Sequence, residues 1–116
     1  MAGTSSSLRV LIRAADAWLA HWVARMLAHL ALPCRVTTSD DADRDLVIVA
    51  VPSRELIATL SHSANKPDRA PMIAVLPSGS RSLARRVARS GAAYYRLDQP
   101  LWVLRSRIEE LCGPPS

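Results

Sequence analysis

Residues 45–55 read DLVIVAVPSRE. From Leu46 to Val51 every position is apolar, a proline follows, and Ser53 stands where it can cap a helix. A strand with one wet face would alternate apolar and polar. A short run that never alternates, bounded by a proline, reads as a strand buried on both sides, the pattern of a central strand in a parallel sheet covered by helices. In such sheets the carboxyl ends of the central strands form the edge where ligands and chemistry are placed. At that edge this chain has Ala50 and Val51, which offer neither charge nor nucleophile.

The rest of the chain alternates around this strand. LRVLI (residues 8–12) is β-prone, and Asp16 can cap a helix in which Trp18, Leu19, Trp22, Val23, Met26, Leu27 and Leu30 recur at helical spacing, stopped by Pro33. CRVTT (34–38) reads as a second strand, and Ser53 opens a helix running to about Ser63. MIAVL (72–76) is a fourth strand after a polar loop, and PSGS leads into a helix over 81–90 with Gly91 as its stop. AYYRL (93–97) is a fifth strand, and Pro100 sits near the first turn of a last helix whose Leu101, Leu104, Ile108 and Leu111 form one stripe. Five strands alternating with helices predict an open parallel α/β sandwich.

Composition narrows the function. At 116 residues the chain makes one domain: residues 1–7 read as a disordered start, 8–112 as the folded unit, and 113–116 (GPPS) as a tail or the start of a linker. No apolar run reaches the roughly 18 residues of a membrane span, and MAGTSSS has no leader character, so a cytoplasmic domain without membrane contact is expected. Cys34 and Cys112 are too few and too far apart for a metal or CxxC motif and are expected as reduced thiols. Neither GxGxxG nor GxxxxGK[ST] occurs, so nucleotide binding of those kinds is not expected, and no cofactor or metal is implied. His21, His29 and His62 lack carboxylates at useful spacing. The acidic run Asp40, Asp41, Asp43 and Asp45 lacks the glycine turn and bidentate Glu of a calcium loop.

APMIAVLPSG followed by a helix, then SGAAYYRLDQP followed by another, resembles the second half of the receiver domain of bacterial response regulators, where GADDYLTKP is typical before the last helix. RDLVIVA stands where that family has PDLVLLD, and the likeness runs from about Leu8 to Leu111. The resemblance implies a flavodoxin-like (CheY-like) fold, a five-stranded parallel sheet of order 2-1-3-4-5 between helices, with its second helix shortened or missing, since only SDDADRD joins the second strand to the third. A parallel crossover normally takes a dozen or more residues, so apolar sheet surface is expected to be uncovered over the first two strands. The N-terminal tail and neighbouring side chains could cover it, or a partner could dock there.

The same resemblance supplies a chemical checklist that this sequence does not meet. The acidic pair that holds Mg²⁺ is matched by Ala14 and Ala15, with Asp16 next door, and the phospho-accepting Asp by Ala50. The Ser/Thr that senses the phosphoryl group is matched by Leu76, and the Lys before the last helix by Asp98, or by Gln99 if the alignment shifts by one residue. Without a carboxylate there is no acyl-phosphate nucleophile, and alanines supply no oxygen ligands. A degenerate, non-enzymatic receiver is expected: a protein-interaction or dimerisation module, the regulatory part of a larger signalling protein with an output domain beyond residue 116.

The interface expected for it lies in the basic third of the chain. Of the net charge of +5, residues 80–116 carry the excess, with seven Arg against three acids. Arg81, Arg85 and Arg89 form an i, i+4 row with Arg86 beside it, and Trp102 falls nearly opposite the apolar stripe of the last helix. Tyr95 matches the strand-five aromatic through which many receivers relay their state. With Arg96 and Arg105 these residues map to the family's face of fourth helix, fifth strand and fifth helix, used for dimerisation and partner contact. Two alternatives are nucleic-acid binding through the arginine row, against which stands the lack of a visible reading motif, and small-ligand sensing in the vacated pocket of Ala14, Ala15, Ala50 and Leu76.

Overall fold

The structure, a computed structural model, describes residues 8–30, 34–37, 44–64, 70–77, 79 and 81–112, without the side chains of residues 53 and 62–64. The expectations for the two termini, for Asp40, Asp41 and Asp43, and for the His62 side chain lie outside the described residues. The elements are β1 (Leu8–Ala14), α1 (Ala17–Ala28), β2 (Cys34–Thr37), β3 (Leu46–Ala50), α2 (Ser53–Ala64), β4 (Met72–Leu76), α3 (Arg81–Arg89), β5 (Ala93–Arg96) and α4 (Leu101–Cys112). They form one five-stranded sheet, β2-β1-β3-β4-β5, with every pairing parallel.

The all-apolar run becomes β3, buried at every position. Its alternate residues feed two cores. Leu46, Ile48 and Ala50 join Val10 and Ile12 of β1 beneath α1 and α4, while Val47 and Val49 join Leu11 beneath α2 and α3. This division follows from right-handed crossovers that run outward in opposite directions from β1 and β3. Asp16 caps α1 as expected, its Oδ1 accepting from the Leu19 N–H at 2.9 Å. Gly91, at φ 89°, ends α3 in the left-handed conformation that favours glycine.

Three parts of the expected apolar pattern fail, each for a physical reason. Trp18 is 71% exposed: it lies in the first turn of α1, short of the buried Val23–Leu27 segment, and periodicity alone does not say where the sheet beneath a helix stops. Leu111 is exposed likewise in the last turn of α4, and Leu97 is exposed because β5 ends at Arg96. The third failure concerns the sheet face over β1 and β2, which is not apolar. Register pairs Arg9 with Arg35 and Leu11 with Thr37, so that face carries two arginines and a threonine around a single buried leucine. Among the described residues no helix lies between β2 and β3. Fully extended, residues 38–45 reach roughly 26 Å. That exceeds the length of β2 combined with two strand spacings of about 4.8 Å.

Asp45 has a structural role that its place in an acidic run concealed. Its carboxylate accepts from the Arg9 backbone N–H at 2.9 Å and from the Arg9 guanidinium at 3.1 and 3.3 Å, while its own N–H donates to the Arg9 carbonyl at 2.7 Å. These bonds staple the entry of β3 to β1. The side-chain and backbone hydrogen bonds from Arg9 hold the carboxyl below its ordinary 3.8. A lowered folded value contributes stability that is present above the unfolded value and lost as pH falls through the folded one. Asp45→Asn should therefore be less stable than wild type by roughly 1 kcal/mol at pH 7, a modest figure because both side chains are partly exposed. Urea melts at stepped pH should show the gap closing below about pH 4.

Candidate functional site

Strand pairing brings Ala14, Ala15 and Ala50 to one sheet edge. Ala14 is the register partner of Ala50, and the Ala15 N–H donates to the Ala50 carbonyl at 3.2 Å. The first strand, expected at Leu8–Ile12, runs two residues further, to Ala14, and that extension places Ala14 beside Ala50. Asp16, the nearest acid in sequence, is committed to capping α1. Leu76 does not join them. It is fully buried under α2 and α3, whereas Ala50 belongs to the core under α1 and α4. Asp98 meets Arg96 at 3.6 Å, and Gln99 closes the β5–α4 turn, its Oε1 accepting from the Arg96 N–H at 2.9 Å.

A hollow exists near this edge, but not where the vacated pocket was expected. A cavity of about 660 Å³ opens beside β1 and the start of α1, with Ala14, Ala17 and Ala20 as small walls and Arg13, Asp16 and Thr59 as polar ones. Ala15, Ala50 and Leu76 do not line it. Ala50 and Leu76 are absorbed into the two cores, and the space runs along the edge from the start of α1 to Val51 and Thr59 and is partly charged. No group of three or more His, Cys, Asp or Glu is gathered among the described residues. No described helix is long and apolar enough to cross a membrane. His21 and His29 are exposed. Cys34 and Cys112 are half-buried thiols that burial pushes upward in pKa.

The basic third divides between the two layers that flank β5, an edge strand. With no described helix between β2 and β3, the face named above is α3, β5 and α4 in this chain. Arg81, Arg85, Arg86 and Arg89 are all exposed, and none forms an ion pair with an acid among the described residues. On α4 the stripe is Leu104 and Ile108, both buried, and Trp102 points outward with 68% of its surface exposed. Arg105 is held by Glu109 at 3.3 Å across one helical turn. Tyr95 is a correction: it is 3% exposed, packed in the α1/α4 core, with its hydroxyl donating to the Gln99 carbonyl at 2.7 Å. Burial raises the phenol above its ordinary 10.0, with the Asp98 charge adding to it. Strand alternation puts Tyr94 on the opposite side with Arg96, and the aromatic that borders the arginines is Tyr94. The signal was present in the sequence, because residues 94 and 96 share a face in any strand.

The chain is similar to the crystal structure of a response regulator receiver protein from Burkholderia phymatum. The TM-score is 0.68 at 18% sequence identity, over 92% of this chain and 96% of that one. At that identity the likeness is one of fold: a five-stranded parallel sheet of order 2-1-3-4-5 flanked by helices, flavodoxin-like in topology. No family model matches the chain, and no curated protein matches it.

Proposed function

We propose that this domain is a phosphorylation-independent pseudo-receiver of bacterial signal transduction that acts by docking. Its partner is a protein or a second copy of itself, met through α3, β5 and α4, and it serves as the regulatory part of a larger atypical response regulator. One observation carries the reading. In a receiver fold, the carboxyl edge that should hold a nucleophilic Asp beside metal-binding acids is built from Ala14, Ala15 and Ala50, paired in register. Phosphoryl transfer through an aspartate needs a carboxylate and oxygen ligands for a divalent ion, and this edge supplies neither. What the fold retains is surface. Trp102 on α4 offers a large, rigid side chain of the kind that anchors interfaces, and the unpaired arginines of α3, in the layer across β5, add charge that can steer an acidic partner.

The test is the solution mass by light scattering over a concentration series, for wild type and Trp102→Ala. A wild-type dimer that dissociates in the variant is the expected result. A wild type that stays monomeric throughout, and captures no acidic protein partner that Trp102→Ala fails to capture, would sink the docking role.

A further inference from the structure

Between α3 and the edge strand β5 lies a second, smaller concavity of about 230 Å³, lined by Arg81, Ala84, Arg85, Ala88, Tyr94 and Arg96. Its composition differs from that of a solvated basic helix face. Three arginines from two elements line a single hollow, with the buried Ala84 and the exposed Ala88 as small walls that leave space there without losing helix propensity. Tyr94 adds an aromatic wall and a hydroxyl. Arg81 and Arg85 have no carboxylate partner among the described residues. Arg96 has one weak partner: its Nε, shielded from water and without a hydrogen bond, stands 3.6 Å from Asp98. Three cations lining one hollow with so little compensation favour an anion there.

From this geometry we infer that the α3–β5 cleft is a binding site for a phosphomonoester. Guanidinium groups present planar, paired donors that match phosphate oxygens, and three of them meet a doubly charged group better than a single carboxylate. The size selects a small ligand. Pockets for drug-sized molecules run from about 300 to 1,000 Å³, so this cleft suits a phosphate with a short organic portion lying against Tyr94. None of its lining residues is a receiver checklist position, although Arg96 pairs with Leu76 and stands beside Asp98. The inference goes beyond the docking reading and stands without it, although a ligand here would change the charge of the same face.

The experiment is a ¹H–¹⁵N NMR titration of dilute wild-type protein at constant ionic strength. The probes are inorganic phosphate, ribose 5-phosphate and adenosine 5′-monophosphate, with chloride as the control. Saturable shifts confined to residues 81–96 are expected, weakened about tenfold or more in Arg85→Gln by loss of a charge-assisted contact. Tighter binding of either organic ester than of inorganic phosphate, reduced in Tyr94→Ala, would assign the organic part to the tyrosine wall. Equal affinities would assign a bare phosphate site, and both results uphold the cleft. Shifts that spread over all the arginines and follow ionic strength, or an Arg85→Gln affinity within twofold of wild type, overturn it. So does a single-stranded oligonucleotide that binds far more tightly with increasing length and with a steep salt dependence, since that is the behaviour of a strand-binding surface. Arg85 is exposed, so the variant keeps the fold, and a retained wild-type spectrum checks this in the same tube.

Discussion

Replacing Ala50 by Asp, the residue receivers carry at that position, should cost about 2–4 kcal/mol of stability at neutral pH and should not yield a phosphorylatable protein. Ala50 is 7% exposed and sits in the α1/α4 core with Ala14 as its register neighbour. A carboxylate placed there enters an apolar core with Val10, Ile12 and Ile48, and the Ala15 N–H nearby is already committed to the Ala50 carbonyl. Burial of this kind raises the folded carboxyl above its unfolded value near 3.9. The sign of the pH dependence follows: the penalty is full above the raised folded value and vanishes below the unfolded one, so the variant should recover toward wild type as pH approaches 4. A deficit that stays the same at every pH would mean overpacking rather than charge burial. With a small phosphodonor and Mg²⁺, Ala50→Asp alone should take up no label. The triple variant Ala14→Asp, Ala15→Asp, Ala50→Asp should take up some if the edge keeps receiver geometry. Labelling of the single variant would show that the alanines at 14 and 15 are not what disables the site.

How much of this was legible in the sequence depended on whether a local pattern was enough. The unbroken run at 46–51 and the alternation of strands and helices fixed the class of sheet, because double burial leaves a strand no polar position. The empty edge could be read as well, since the carboxyl end of β3 is a place in the chain as much as in space. Asp45 could not be read that way. Its partner Arg9 lies 36 residues away, and a run of four aspartates looks solvated until one finds a guanidinium. Trp18 and Trp22 share a helical stripe, yet only one rests on the sheet. The polar face over β1 and β2 was legible in the sequence: Arg9 and Arg13 on one strand and Arg35 and Thr37 on the next fall at even spacing, and residues so spaced share a face. The exchange of Tyr94 for Tyr95 is the same lesson on a four-residue strand. When two aromatics are adjacent, the neighbours at i ± 2 decide which one is buried.

Two residues of α4, one turn-fraction apart, should divide fold from function more sharply than any other pair. Leu104 is fully buried and, with Ile108, makes up the buried stripe that attaches α4 to the sheet. Leu104→Ala should lose about 3 kcal/mol through removed apolar contact and the cavity left behind, a large share of the roughly 5–15 kcal/mol that holds a domain of this size. Trp102, 68% exposed, should be nearly silent in the same urea melt, within about 0.5 kcal/mol. In an association assay the ranking should reverse. Removing an interface anchor costs about 2 kcal/mol, some thirtyfold in affinity, whereas Leu104→Ala should bind normally at temperatures where it remains folded. If Trp102→Ala destabilised the fold as much as Leu104→Ala, the indole would be packing on its own protein and the docking role would lose its anchor. The converse pattern has one physical source: an aromatic surface kept in water at a cost that folding does not recover, and that only a second surface can.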